Sequence, residues 1–327
     1  MPVKKISKLK SPPEANKPLW LVTGGAGFIG SNIAEELVNR GERVRILDNM
    51  STGRKEHMAS FIDRVEFVHA DLRDPKSLGK ALKGVTYVLH QAALRSVPKS
   101  MDAPQPTNEN NVTGTLNLLV EAGAAGVKRV VYASSSSAYG ECKVFPQHEG
   151  IIPAPVSPYA VSKLAAEMYC LCWAKSFGLE AVALRYFNVF GPRQDPESKY
   201  SAVIPKFMEQ ARQRRPLEIH WDGRQSRDFT YVGNVVQANI KAATAPNASG
   251  RAYNIACGTS NSLLELARVI EKLAGYKLAK DFQPKRKGDV RKTYADISLA
   301  RRVLKYKPEV GFEEGIKKTW EYFQDKF

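Results

Sequence analysis

The segment Thr23-Gly24-Gly25-Ala26-Gly27-Phe28-Ile29-Gly30 constrains this chain more than any other. It follows the apolar run Leu19 to Val22 and leads into Ile29, Ile33 and Leu37, spaced by four. Those patterns in succession read as strand, tight turn and amphipathic helix. Glycines at 24, 27 and 30 suit a turn that needs positive φ, leaves backbone bare for a close ligand and packs helix against strand. A helix start of this kind presents unpaired N–H groups and a partial positive charge, which hold phosphate. A second β-branched run, Val44-Arg45-Ile46-Leu47, ends in Asp48, eighteen residues beyond Gly30. A carboxylate there accepts hydrogen bonds from ribose hydroxyls and repels a 2′-phosphate. Together the two features predict a dinucleotide site that favours NAD, with Arg54 and Lys55 nearby as the residues that keep NADP open.

The alternation continues. Strands are expected at 19–22, 44–47, 65–69, 85–89, 129–133 and 181–186, and helices at 30–40, 75–82, 105–124 and 159–177. Strand and helix in turn mean right-handed crossovers and a parallel sheet covered on both faces, the doubly wound Rossmann form of the α/β class. After Gly191 the connections lengthen and proline punctuates them, with helices near 204–214, 233–245, 262–274 and 312–325 and strands near 217–220 and 252–255. This change predicts a smaller C-terminal α/β lobe. The expected organisation is a flexible basic leader at 1–17, a dinucleotide-binding domain at 18–190, and 191–327 as mainly a substrate lobe, with the chain crossing between the two.

Composition bounds the partners. At 327 residues and 43% hydrophobic, the chain can bury one large core and a satellite. The net charge of +16 sits partly in the leader, where Lys4, Lys5, Lys8, Lys10 and Lys17 face only Glu14. A further cluster stands at Arg212, Arg214 and Arg215, with no nucleic-acid motif beside it, so no nucleic-acid partner is expected. No run of eighteen apolar residues and no signal-peptide core is present, which predicts a soluble, cytoplasmic protein away from membranes. Cys142, Cys170, Cys172 and Cys257 lack metal-ligand spacing, so free thiols and no metal are expected.

In a parallel α/β sheet, ligands gather beyond the carboxyl ends of the strands. The informative residues stand there: Asp71-Leu72 after the third strand, suited to an adenine edge, His90-Gln91-Ala92-Ala93 after the fourth, and Ser134-Ser135-Ser136-Ser137 after the fifth. A helix then opens with Tyr159-Ala160-Val161-Ser162-Lys163, and a spacing of four puts the phenol and the ammonium on one face. A phenol near pKa 10 is a weak base at neutral pH. A neighbouring ammonium and a positive nicotinamide ring favour its phenolate, which makes the pair a base for a sugar hydroxyl. Ser135 is placed to hydrogen-bond the same oxygen. Basic residues at turns, Arg227 and Arg286, suit diphosphate oxygens.

Thr23 to Gly30, Asp48, Asp71-Leu72, His90 to Ala93, Ser135, Tyr159 with Lys163, Arg185 to Gly191 and Arg227-Asp228-Phe229 together resemble an extended short-chain dehydrogenase/reductase acting on nucleotide sugars. The resemblance covers nearly the whole chain from residue 18 and is strongest to the UDP-sugar 4-epimerases, particularly those that accept UDP-N-acetylglucosamine. It implies that Tyr159 removes the 4-hydroxyl proton while hydride passes from sugar C4 to NAD. The 4-keto sugar then turns over, hydride returns to its other face, and the cofactor stays bound throughout. The implied NAD contacts are Gly24, Gly27, Phe28, Ile29, Asp48, Asn49, Thr52, Gly53, Asp71, Leu72, Gln91, Ala92, Ala93, Tyr159, Lys163 and Tyr186. The implied UDP-sugar contacts are Ser96, Ser135, Ser136, Ser137, Asn188, Ala202, Val203, Glu218 to His220, Arg227, Arg286, Asp289 and Thr293.

Departures from the relatives discriminate. Ser136 and Ser137 stand where 4,6-dehydratases carry an Asp-Glu pair, and decarboxylases of UDP-glucuronate carry a Glu near Ser137, so neither reaction is expected. Thr293 stands at the gatekeeper position of the sugar pocket, and its small size leaves room for a 2-acetamido group. A UDP-glucuronate 4-epimerase remains an alternative, with Arg193 and the serines as donors to the sugar carboxylate. Net oxidoreduction and a non-catalytic NAD-binding regulator are the readings from other classes. The resemblance also implies a homodimer through the helices at 105–124 and 159–177, with Leu116, Leu119, Val120, Met168, Leu171 and Cys172 as contacts.

Overall fold

A computed structural model describes residues 16–195, 202–285 and 290–325. The leader up to residue 15, Arg286 and Asp289 lie outside the described residues. Six strands run parallel: β1 (Leu19–Thr23), β2 (Arg43–Asp48), β3 (Glu66–His69), β4 (Tyr87–His90), β5 (Arg129–Ser135) and β6 (Glu180–Tyr186). The chain then leaves this sheet through the short strands β7 (Val189–Phe190), β8 (Leu217–His220), β9 (Ser226–Arg227) and β10 (Thr230–Tyr231). It returns as β11 (Arg251–Ile255), parallel to β6. The sheet order is β11-β6-β5-β4-β1-β2-β3, which reverses direction at β1 and β4. A crevice opens at such a reversal, beyond the carboxyl ends of the strands.

Alternation along each strand divides the core into two layers. Trp20 and Val22 of β1 face one layer, built with α1 (Phe28–Asn39) and residues from further along the chain. Leu19 and Leu21 face the other, where α2 (Pro75–Leu82) supplies Leu78 and Leu82. The predicted helix at 105–124 is present: α4 (Pro104–Asn108), a π-helical turn (Glu109–Thr113) and α5 (Gly114–Ala124) follow one another in continuous right-handed helical backbone, and a short α3 (Val97–Asp102) precedes them. Pro104 at the start of α4 separates it from α3, because proline fits the first turn of a helix and no later one. α5 and α6 (Pro158–Ser176) complete the second layer with Leu118, Leu119, Ala166 and Cys170.

A separate core gathers α7 (Val203–Arg212), β8 and elements later in the chain. Between its parts, α8 (Val232–Thr244) packs back on the first layer of the main sheet through Val235, Ala238 and Ala242. The small lobe is completed by β12 (Asn261–Ser262), α9 (Leu263–Ala274), β13 (Lys280–Gln283), β14 (Lys292–Thr293) and α11 (Phe312–Asp325), while α10 (Ser298–Leu304) returns to the main sheet. One buried carboxylate ties the two cores. Asp228 accepts hydrogen bonds from the backbone N–H groups of Cys257, Gly258 and Ala295, at 2.8, 2.9 and 3.2 Å, and burial pushes it up to about 6.

No helix among the described residues is long and apolar enough to cross a membrane. The four cysteines are free, Cys170 buried and Cys172 exposed. Among the described residues no group of His, Cys, Asp and Glu is arranged to hold a metal ion.

The packing of α1 on the glycine turn generates a graded prediction. A Cβ on Gly30 would fall 2.2 Å from the Gly24 carbonyl oxygen, whereas one on Gly27 would fall 3.1 Å from the same atom. Backbone atoms cannot swing aside as a side chain can. Gly30→Ala is therefore expected to cost about 2 kcal/mol or more, and Gly27→Ala distinctly less, as read by denaturant unfolding of the two variants.

Candidate active site

An open cleft of about 1230 Å³ lies at the carboxyl ends of the central strands. Its floor is the glycine turn. Gly24, at φ +66°, donates its N–H to Leu47 O at 2.8 Å, and a Cβ there would meet Ala92 N at 2.7 Å. α1 begins at Gly27 with no side-chain cap and no acidic residue in its first turn. Its first N–H groups are thus left for a ligand, and bare backbone beside them suits a pyrophosphate. Asp48 closes the next position. Its carboxylate accepts from Ala26 N at 3.0 Å and Met50 N at 2.8 Å, which fixes its orientation and leaves lone pairs for two ribose hydroxyls. Asp71 also lines the cleft, but its oxygens are engaged by Arg73 and Asn49, and that pairing holds the carboxyl well below the usual range. These residues fit an adenine dinucleotide.

A chain of buried hydrogen bonds stiffens the turn from behind. Ala92 N donates to Thr23 Oγ1 (3.3 Å), which faces His90 Nδ1 at 2.7 Å. His90 Nε2 faces Thr115 Oγ1 at 2.9 Å, and that hydroxyl donates to Asn111 O at 2.6 Å. Because the Thr115 proton is committed to Asn111, the histidine carries its hydrogen on Nε2 and accepts at Nδ1. Burial, with the nearby Lys163 charge, pushes this imidazole down to about 3.

Tyr159 and Lys163 come from the first turns of α6. Ser157 caps that helix by accepting Ala160 N at 3.2 Å, and Pro158 sets its first turn. Lys163 is buried, donates to Ala133 O at 2.9 Å and lies over the Tyr132 ring, and burial lowers it to about 8. Tyr159 is partly buried, and burial raises it, opposed by its hydrogen bond with Ser135 and by the charge of Arg95. Ser135 Oγ already accepts from Ser137 N at 3.1 Å and Ser137 Oγ at 2.8 Å. Its own proton therefore remains for the phenol oxygen, and Ser135 is a donor to the phenolate.

Under this trio lies a buried ion pair. Arg185 of β6 donates to Glu167 of α6 through Nε at 3.0 Å and Nη2 at 2.6 Å, and Ser134 donates to the same carboxylate at 2.6 Å. Two more residues that sequence reasoning missed hold the loop after β4 against α6. Asn111, on the π-helical turn, binds both backbone groups of Leu94 (2.8 and 2.9 Å) and donates to Ser162 Oγ at 3.0 Å. Ser100 accepts Tyr159 N at 3.1 Å.

A second hollow of about 880 Å³ is lined by Asn188, Ala202, Val203, Lys206, Glu218, His220, Gln225, Arg227 and Phe229. Glu218 accepts from Lys206 at 2.6 Å and lies 2.8 Å from His220 Nε2. The structure thus gathers the predicted residues into two groups, with Gly24, Gly27, Phe28, Ile29, Asn49, Thr52, Leu72, Gln91, Ala93 and Tyr186 in the first cleft beside those named above. Gly53, Ser96, Ser135, Ser136, Ser137 and Thr293 line neither hollow. Gly53 stands behind Asp48, where a Cβ would lie 2.9 Å from Oδ1, and Ser96 caps α3 by accepting Lys99 N at 3.2 Å. Ser137 backs Ser135, and Thr293 pairs with Arg227 between β14 and β9, its buried hydroxyl without a hydrogen-bond partner among the described residues. Arg193, expected near a sugar carboxylate, lines the first cleft and is paired with Glu35 at 2.6 Å. Leu119 is core, whereas Val120, Met168 and Cys172 are exposed.

The chain matches the model of the NAD dependent epimerase/dehydratase family over residues 20–256. The UDP-glucose 4-epimerase of Mycolicibacterium smegmatis is 38% identical to it over 310 residues, covering 94% of this chain and 98% of that protein. A UDP-N-acetylglucosamine 4-epimerase from Methanobrevibacter ruminantium, solved in complex with UDP-N-acetylmuramic acid, is 38% identical, with TM-score 0.91 over 95% of this chain and 99% of its own. The UDP-glucose 4-epimerase of Thermus thermophilus, solved with NAD, is 36% identical, with TM-score 0.85 over 94% of this chain and 100% of its own.

The depressed histidine makes a pH prediction. The folded protein refuses a proton at His90 that the unfolded chain accepts below its ordinary value of 6.5. The contribution is full above that value and is lost as pH falls through the window toward 3, reaching about 2 kcal/mol at about pH 5. Thermal denaturation near neutrality and near pH 5 checks this. The acid-induced drop in Tm is expected to shrink in His90→Gln.

Proposed function

The chain belongs to the NAD-dependent epimerase/dehydratase family, and from that premise we propose that it interconverts UDP-hexoses at C4, UDP-N-acetylhexosamines among them, with NAD as its resident cofactor. The observation that carries this reading is the trio of Ser135, Tyr159 and Lys163 beside a cleft floored by a bare glycine turn and closed by Asp48. NAD, when bound, supplies the acceptor of hydride and its donor on return. Tyr159 takes the 4-hydroxyl proton at its phenolate oxygen and gives it back when the transient 4-keto sugar is reduced on the opposite face. Burial alone would keep the phenol neutral; the Ser135 hydrogen bond and the Arg95 charge oppose it, and the Lys163 ammonium and the positive cofactor ring are assigned the rest of the work of holding the phenolate. The second hollow is assigned to the nucleotide, with Arg227 toward its diphosphate and Ala202, Val203, Glu218 and His220 around the uracil. Arg286 and Asp289 complete this assignment by resemblance.

Two observations favour neutral sugars over UDP-glucuronate. Arg193 is occupied by Glu35 in the cofactor cleft, and the residues after Ser135 are serines without added cations. The same reading pairs two copies through α5 and α6, where Val120, Val161 and Met168 stand 50%, 51% and 45% exposed.

Purified protein, with no cofactor added, incubated separately with UDP-N-acetylglucosamine, UDP-glucose and UDP-glucuronate tests the proposal by proton NMR. The galacto epimers of the first two are expected. Tyr159→Phe is expected to lower kcat by about a hundredfold or more, and loss of no activity would remove Tyr159 from its role.

A further inference from the structure

The turn that follows β7 doubles back over the first cleft. Pro192 O accepts from Asn32 Nδ2 at 3.1 Å, and Arg193 pairs with Glu35 at 2.6 Å, both on α1. The Arg193 guanidinium lies over the Phe61 ring. Two residues on, Asp195 Oδ2 meets Arg54 Nη2 at 2.7 Å. Arg54 is anchored beside the ribose end of the cleft, since its N–H donates to Ala26 O at 3.0 Å and its neighbour Gly53 packs on Asp48. Arg54, Arg193 and Asp195 all line the cleft.

An arginine at this place has a ready ligand. A planar guanidinium fork matches a phosphate, and a 2′-phosphate on the adenosine ribose would arrive beside Asp48. Asp195 occupies that fork from a segment 141 residues away in the chain. The same contact fixes the end of the turn at 191–195 to the wall of the cleft, which Arg193 and Asp195 line.

We propose that Asp195 is a cofactor-specificity residue: by engaging Arg54 it withholds the guanidinium from a 2′-phosphate, and by the same ion pair it straps the turn over the bound dinucleotide. The proposal rests on the reading that the first cleft holds NAD. Its energetics are those of a part-exposed pair, with the Arg54 and Asp195 side chains 47% and 22% exposed, so the strap weakens as salt rises.

Holoenzyme of wild type, Asp195→Asn, Arg54→Gln and the double variant provides the test. Release is followed by exchange of bound NAD against excess isotope-labelled NAD, and uptake by incubation with NADP and chromatography of the dinucleotide freed on denaturation. Asp195→Asn is expected to release NAD about two- to fivefold faster, with the salt dependence of release lost. It is also expected to shift the NADP-to-NAD ratio by about tenfold or more toward NADP. The double variant should keep the fast release and lose the gain in NADP. Wild-type release and wild-type preference in Asp195→Asn would overturn the proposal, as would an NADP gain that survives Arg54→Gln. A wild-type protein that holds neither dinucleotide would instead overturn the cofactor reading itself.

Discussion

The Glu167–Arg185 ion pair is the interaction on which the rest of the site depends. Both side chains are almost wholly excluded from water, at 0% and 4% exposure. They join α6 to β6, and Ser134 brings the end of β5 to the same carboxylate. The tyrosine and lysine ride on α6, the serine follows Ser134, and Tyr186 follows Arg185. One salt bridge therefore sets the mutual position of Ser135, Tyr159, Lys163 and Tyr186. Burying two charges is costly, and such a pair is poor value as stabilisation alone. Removing a single partner would strand the other and cost about 3–5 kcal/mol. Its worth lies in geometry, since a proton transfer tolerates little displacement of the base.

Around that pair the molecule divides its labour between two kinds of surface. The first cleft is built from strand ends and backbone N–H groups, which cannot move without disturbing the sheet. The second is walled by side chains of short strands and α7 packed on their own small core. Asp228 lets the two meet at a fixed angle by gathering three backbone donors from segments of the main sheet.

Much of this was legible in the sequence because the chemistry is local. The glycine turn, Asp48 and the Tyr159–Lys163 spacing each lie within one strand end or one helix turn, so spacing alone implies geometry. The groups that hold them in place were not legible. Arg54 with Asp195, Arg193 with Glu35, and Asn111 with Leu94 and Ser162 join distant segments, and nothing near any of these residues announces its partner. β11 reads like any short strand, and its return to the edge of the main sheet beside β6 follows from tertiary packing, not from its own five residues. The helix at 105–124 was legible, but the wide turn inside it leaves no mark in residue type.

That wide turn has a consequence for how the chain can change. Between Glu109 and Thr113 five residues occupy the space of one turn. Regular α-helical pitch would carry each later residue about 100° round the axis for the residue removed. Asn111 would then no longer face both Leu94 and Ser162, and α5 would present the wrong stripe to the core. The insertion is thus a frame for everything after it. Substitutions can accumulate along this stretch, but its length cannot drift by a single residue in either direction.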